Sequence, residues 1–259
     1  MAYGYEEFKK DVYGLTNINL DMYKERQMKR RIESLVARKG FDGFESFFKG
    51  MKQDDALLRT FVSYLTINVS QFYRNPAQWE NFEHEIIPYL RSNYGDKLTI
   101  WSAACSTGDE PYTIAMILSK YISLDKVNII ATDIDEDVLA FAKNGTYPEK
   151  SLVDLPKEYL EKHFNLVDKG RYQISDKIAK CVSFKKHNLL EDKYFGGVHL
   201  IVCRNVVIYF TDEAKDYVYK QFHRSLEENG ILFIGSTEQI LKAKELGFET
   251  KKTFFYKKI

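Results

Sequence analysis

Leu98-Thr99-Ile100-Trp101-Ser102-Ala103-Ala104-Cys105-Ser106-Thr107-Gly108-Asp109-Glu110-Pro111-Tyr112 is the stretch on which the reading of the fold turns. Its first part, Leu98 to Ala104, is a short apolar run of strand length. Small residues follow, and Asp109-Glu110-Pro111 has the acids and the early proline that open a helix. A strand running through a small-residue loop into a helix is where open α/β sheets bind ligands, at the carboxyl edge. Further apolar runs at Val127 to Ala131, Leu200 to Cys203 and Ile231 to Ile234 alternate with helical segments. Such runs are expected of buried parallel strands, covered on both faces by their crossover helices, so the class is α/β. The loop lacks the GxGxxG pattern whose glycines bring amides up to a pyrophosphate, which argues against a dinucleotide.

The bulk composition narrows the function classes. Lys plus Arg number 38 and Asp plus Glu 37 over 259 residues, without the broad positive field of a general nucleic-acid binder. Three cysteines, Cys105, Cys181 and Cys203, form no CxxC pair and have no histidine at metal-ligand spacing. Neither a disulfide framework nor a zinc site is expected, and a reducing cytosol fits. Met1 to Gly14 mixes aromatic and charged residues, and no apolar run approaches the roughly 18 residues of a membrane span. The expectation is a cytoplasmic, monomeric protein without leader or anchor.

Near residue 95 the pattern changes from helical periodicity to strands alternating with helices. In the first part Met28, Ile32, Leu35 and Val36 recur at helical spacing, with Arg26, Arg30, Arg31 and Arg38 on the other side. Residues 24–39 hold seven basic and two acidic side chains. That is either a solvated amphipathic face or a docking surface for an acidic helical partner. Trp79, Phe82, Ile86 and Leu90 mark a connecting helix that Pro88 is expected to kink or end. Thr211 caps a helix from Asp212 with the stripe Ala214, Val218, Phe222 and Leu226, expected to end at Asn229-Gly230. Phe248 to Lys258 reads as a last, antiparallel strand.

The polar residues at the strand ends suggest a ligand. S-adenosylmethionine carries no phosphate; it needs a carboxylate for its ribose, another near its ammonium, a polar clamp for its carboxylate and an apolar slot for adenine. In Ala131-Thr132-Asp133-Ile134-Asp135, Asp133 rather than Asp135 is expected to accept the ribose hydroxyls. Glu110 can serve the ligand or merely complement its helix dipole. Arg204 and Asn205, closing an apolar strand, imply a polar pocket or a fully satisfied buried network. His187 has no evident partner and reads as structural, and Cys105 has no histidine near it in sequence to activate it.

Four stretches taken together resemble the CheR family of chemoreceptor glutamate methyltransferases: Thr66-Ile67-Asn68-Val69-Ser70-Gln71-Phe72-Tyr73-Arg74; Trp101 to Ala104 with Ser106 to Tyr112; Ala131 to Asp135; and Cys203-Arg204-Asn205-Val206 with Ile208-Tyr209-Phe210. The resemblance implies a small all-helical N-terminal domain (1–75), a linker helix (76–96), and a seven-stranded doubly wound methyltransferase domain (97–259) with a small β insertion near 171–184. It implies S-adenosylmethionine as cofactor, bound by Asn68, Ser70, Arg74, Glu110, Asp133, Asn188, Leu189, Arg204 and Asn205. Arg74 and Tyr209 fall at positions the family associates with the reacting centre. Asp109 stands where the family usually has Glu, and Ser70 where many members have Thr. The short stretch from Phe164 to Arg171 lacks the glycine-rich loop of members that bind a receptor's C-terminal pentapeptide.

The implied reaction is attack of a receptor glutamate carboxylate, already ionised at neutral pH, on the sulfonium methyl. The enzyme then contributes alignment and desolvation rather than a base. The implied partners are the cytoplasmic helices of methyl-accepting chemoreceptors, which Arg26, Arg30, Arg31 and Arg38 would meet; no metal, nucleic acid or membrane insertion is expected. Two other readings stand beside this one. A small-molecule or nucleic-acid methyltransferase is disfavoured because Asn75-Pro76-Ala77-Gln78 lacks the aromatic that stacks a flipped base. A noncatalytic cofactor-binding module is disfavoured by the presence of Arg74, Glu110, Asp133, Asn205 and Tyr209 together.

Overall fold

The computed structural model describes residues 3–259. Met1 and Ala2, part of the stretch in which no leader is read, lie outside them. The chain begins with α1 (Tyr5–Thr16), α2 (Glu25–Arg38), α3 (Phe44–Gln53) and α4 (Asp55–Thr66). These close on a core of their own, in which Phe8, Ile32, Phe47 and Phe61 are fully buried. Met28, Ile32, Leu35 and Val36 of α2 point into it, as their spacing requires. Asp54 caps α4 by accepting the amides of Ala56 and Leu57.

The connecting helix runs through α5 (Pro76–Asn81), a π-helical turn at Phe82–Ile86, and α6 (Ile87–Tyr94). Pro88 neither ends nor breaks it. The widened turn, closed by Ile87 N–H to the Phe82 carbonyl, accommodates the missing proline donor. Trp79, Phe82, Ile86 and Leu90 pack into the core under the sheet, so this helix is an integral layer.

The remaining elements are β1 (Leu98–Ala103), α7 (Asp109–Leu118), β2 (Val127–Asp133), α8 (Glu136–Asn144), β3 (Thr146–Pro148), α9 (Lys157–His163), β4 (Phe164–Asp168), β5 (Arg171–Ile174), α10 (Asp176–Ala179), β6 (Val182–Lys186), β7 (Val198–Cys203), α11 (Asp212–Ser225), β8 (Leu226–Ile234), β9 (Phe248–Lys252) and β10 (Phe255–Lys258). Seven strands form one sheet in the order β6-β2-β1-β7-β8-β10-β9. The first five are parallel, β10 runs antiparallel between β8 and β9, and the order reverses between β1 and β7. This is the doubly wound sheet, and its switch point puts the ends of β1, β2 and β7 around one cleft.

Three expectations need correction. The small β insertion is the sheet β3-β5-β4, within residues 146–174, and not 171–184. Val182–Lys186 instead pairs with β2 along Ile129–Asp133 and completes the large sheet. Helix α11 ends at Ser225 rather than at Asn229-Gly230, because Leu226 turns extended to pair with Val198. Asn229 (φ 67°) and Gly230 then form a bulge that brings Ile231 opposite Leu200. Finally, Phe248 to Lys258 is two strands, β9 and β10, folded back at Thr253-Phe254, where Phe254 takes φ 70°.

Candidate active site

The loops leaving β1, β2 and β7, together with the end of α4 and the segment before α2, enclose a cleft of about 740 Å³ counting its open mouth. Asn68, Arg74, Asp133, Asn188, Leu189, Arg204, Asn205 and Tyr209 line it, whereas Ser70 and Glu110 do not. Four non-glycine residues of its wall are left-handed: Ile67 (φ 50°), Ala104 (61°), Ser106 (48°) and Asn205 (62°). Such conformations cost free energy and persist only where surrounding contacts enforce them.

On the loop from β1, Gly108 has φ +87° at the start of α7, and a Cβ there would lie 2.8 Å from the Ala142 Cβ and 3.0 Å from the Tyr147 hydroxyl. Glycine is required on both counts. The next residue, Asp109, is buried and accepts a hydrogen bond from the Thr107 hydroxyl; burial raises its pKa. Ser70 does not line the cleft. Glu110 sits just beneath the cleft floor, accepting from Ser102 Oγ at 2.7 Å and lying 3.6 Å from the Arg204 guanidinium. Desolvation raises its pKa, and Arg204 offsets part of that rise.

Asp133 closes β2 facing the cleft. Its Oδ2 accepts the Ser106 amide at 2.8 Å and its Oδ1 the Asp135 amide at 3.1 Å. Burial nonetheless pushes its pKa up to about 6. Asp135 does different work: Oδ1 caps α8 through the Asp137 amide, and Oδ2 accepts the Asn68 side-chain amide at 2.7 Å. Asp133 thus lines the cleft, whereas Asp135 holds Asn68.

Past β7, the Arg204 guanidinium lies between the rings of Trp79 and Phe233, 5.0 and 4.9 Å from their centroids. It donates to the Arg74 carbonyl, Asn75 Oδ1 and Gln78 Oε1, the last at 2.6 Å. This fastens the segment carrying Arg74 to the sheet. Asn205 and Val206 both donate their amides to Glu238, which also accepts the Gly235 amide. Sequence reading passed over Glu238. The cue was present, since Gly235-Ser236-Thr237-Glu238 leaves a buried strand at the carboxyl edge of the sheet.

Arg74 donates to the Val69 carbonyl at 3.1 Å and has no carboxylate within 4.0 Å among the described residues. Tyr209 ends a 3-10 turn and also lines the cleft. The sequence reading did not assign two further lining residues, Tyr23 and His187, to the site. His187 packs edge-on to Trp101 at 5.2 Å, burial lowers its pKa, and its Nδ1 is buried without a partner among the described residues. Tyr23 had no local signal, because it reaches the cleft only through tertiary contact.

The CheR methyltransferase all-alpha domain matches residues 4–66, and the CheR methyltransferase SAM binding domain matches residues 68–255. The chain belongs to the CheR methyltransferase family. Among its relatives, the chemotaxis protein methyltransferase of Listeria monocytogenes is 44% identical over 240 residues, covering 92% of this chain and 91% of that one. The chemotaxis protein methyltransferase of Borreliella burgdorferi is 33% identical over 257 residues, covering 95% and 91%. The cofactor of this CheR methyltransferase is S-adenosylmethionine. The cleft fits such a ligand. The Ser106 hydroxyl and His187 Nδ1 are buried there without partners among the described residues, beside the Asp133 carboxylate and the apolar side chains of Ile134 and Leu189.

Proposed function

We propose that this chain forms glutamyl methyl esters on the cytoplasmic helices of bacterial chemoreceptors. The observation that carries this reading is Arg74, a cation on the cleft wall with no acid partner among the described residues, in the cleft that the hydroxyl-bearing Tyr209 also lines. A glutamate side chain entering the cleft is an anion, and an unpaired guanidinium is the group that orients it bidentately. When bound, S-adenosylmethionine supplies an electrophilic methyl group on its sulfonium. Asp133 accepts the ribose hydroxyls, Leu189 walls the adenine slot with Asn188 at its rim, and Asn68, Arg204 and Asn205 fix the polar end. Ser70 and Glu110 act from behind the wall, Glu110 by holding Arg204.

Within this reading, residues 1–75 carry the docking surface, 76–96 the connecting helix and 97–259 the transferase chemistry. Arg26, Arg30 and Arg38 are exposed on α2 and suited to steering an acidic receptor helix. Arg31 is half-buried and donates to the Tyr64 carbonyl at 2.7 Å, so its contribution is to brace α2 on α4. The test is to incubate the protein with methyl-labelled S-adenosylmethionine and membranes bearing chemoreceptors, then treat with mild base. Label released from receptor as methanol is the expected result. Cofactor binding with no base-labile receptor label would reject the glutamyl ester.

A further inference from the structure

The segment between α1 and α2 runs from Asn188 to Tyr209, two residues that line the cleft, and is tied down at both. At one end the Asn188 side-chain amide donates to the Asn17 carbonyl at 2.8 Å. At the other, Thr211 N–H donates to the Met22 carbonyl at 2.9 Å, and Lys24 N–H to the Tyr209 carbonyl at 3.0 Å. Ile18 and Leu20 are buried in the helical core, which leaves the segment rooted in the N-terminal helices. Between the ties, the half-buried Tyr23 lines the cleft, its ring edge-on to Phe210 at 5.2 Å.

We infer that residues 17–24 form a strap that completes the cofactor site, with Tyr23 contacting the adenosine half of the bound cofactor and the Lys24 amide acting as the latch that sets its exchange rate. The geometry supports both parts. Tyr23, Asp133, Asn188 and Leu189 all line the one cleft, so a ligand held by the latter three lies within reach of the tyrosine ring. Among the described residues, two main-chain bonds hold the strap on the β7 side. Opening the strap there breaks them, and each is a net weak interaction whose loss changes an opening equilibrium about fivefold.

The latch can be removed with little else. Lys24 has φ −58° and its N–H makes no helical bond, while Tyr23 has φ −105° and ψ 153°, a conformation allowed before proline. Lys24→Pro therefore deletes the donor without forcing the backbone, and Lys24→Ala serves as the control that loses the charge but keeps the donor. The measurement is the dissociation rate and equilibrium affinity of S-adenosylhomocysteine on the full chain, with thermal melting of each variant alongside. Tyr23→Ala is expected to weaken binding about tenfold and Tyr23→Phe less. Lys24→Pro is expected to speed dissociation about fivefold while Lys24→Ala behaves as wild type. Equal dissociation rates in Lys24→Pro and Lys24→Ala would overturn the latch, and wild-type affinity or tighter binding in Tyr23→Ala would overturn the contact. The inference rests on this cleft being the cofactor site. A wild-type chain that binds no S-adenosylhomocysteine would remove that reading, whereas normal wild-type binding with unaltered variants removes the strap alone.

Discussion

Replacing Asp133 by Asn separates two roles that the structure assigns to one carboxylate. Toward the protein, burial raises its pKa from 3.8 to about 6, which at neutral pH corresponds to about 3 kcal/mol of destabilisation. Because the folded-state value is the higher one, the favourable contribution is complete below about pH 4 and is lost as pH rises through 6. Asn carries no charge and escapes that penalty. It keeps one acceptor oxygen, so one of the two amides, Ser106 or Asp135, loses its partner at a cost of about 1–3 kcal/mol. The ligand-free variant is thus expected to melt at the wild-type temperature or a few degrees above it.

Toward the cofactor the balance is opposite. Hydrogen bonds to an ionised acceptor are worth about 1.5–3 kcal/mol each, and Asn cannot accept from both ribose hydroxyls while holding the loop. A loss of about 2–3 kcal/mol, or roughly 30- to 150-fold in affinity, is expected by titration calorimetry with S-adenosylhomocysteine at pH 7.5. Wild-type affinity should also fall as pH drops through about 6, where Asp133 takes up its proton, and the variant should be flat across that window. His187 does not imitate this effect, since burial favours its neutral form. An Asn variant that binds within twofold of wild type, or that retains the wild-type pH profile, refutes Asp133 as the ribose acceptor.

Arg74→Ala should reduce receptor methylation by two orders of magnitude or more with the melting temperature little changed; near-normal methylation would remove Arg74 from the reacting centre. Gly108→Ala should cost about 3 kcal/mol, combining the left-handed backbone with the contact on Ala142, and lower the melting temperature by roughly 6–12 °C in calorimetry. Glu238→Gln leaves one acceptor for three amides, so cofactor affinity should fall about tenfold; unchanged affinity would mean that Asn205 needs no such support. Arg26→Glu with Arg30→Glu should slow receptor methylation at low salt and flatten its salt dependence, while methyl-donor affinity stays at the wild-type value.

The sequence was most legible where local pattern and tertiary role coincide. The runs at Leu98, Val127, Leu200 and Ile231 read as buried parallel strands because both faces of each are covered. The four-residue spacing from Met28 to Ile32 and Val36 on α2 read correctly because that face is the core of the helical bundle. Legibility failed where a tertiary contact overrides a local signal. Leu226 continues a good helical stripe, yet pairing with Val198 draws it into β8. Arg31 has the pattern of a solvent-facing arginine, but the Tyr64 carbonyl at the end of α4 captures it. Tyr23 lies in a stretch without periodicity, and only the antiparallel bridge to Phe210 brings it to the cleft.

The two acids at the strand exits explain how this cleft keeps its shape without a ligand. Asp133, leaving β2, holds the amide of Ser106 in the loop from β1; Glu238, following β8, holds the amides of Asn205 and Val206 in the loop from β7. In both cases a clamped residue, Ser106 or Asn205, is left-handed and the clamp comes from the neighbouring strand of the sheet. A left-handed serine or asparagine costs on the order of 1 kcal/mol, which one charge-assisted bond to its amide offsets. The burial that raises the pKa of both acids is therefore the cost of a rigid wall on either side of β1 and β7. It also explains why the loops need so few glycines. The dihedral angles of Ser106 and Asn205 are held by carboxylates fixed on the neighbouring strands, so these positions remain free to be serine and asparagine, whose side chains can face the ligand.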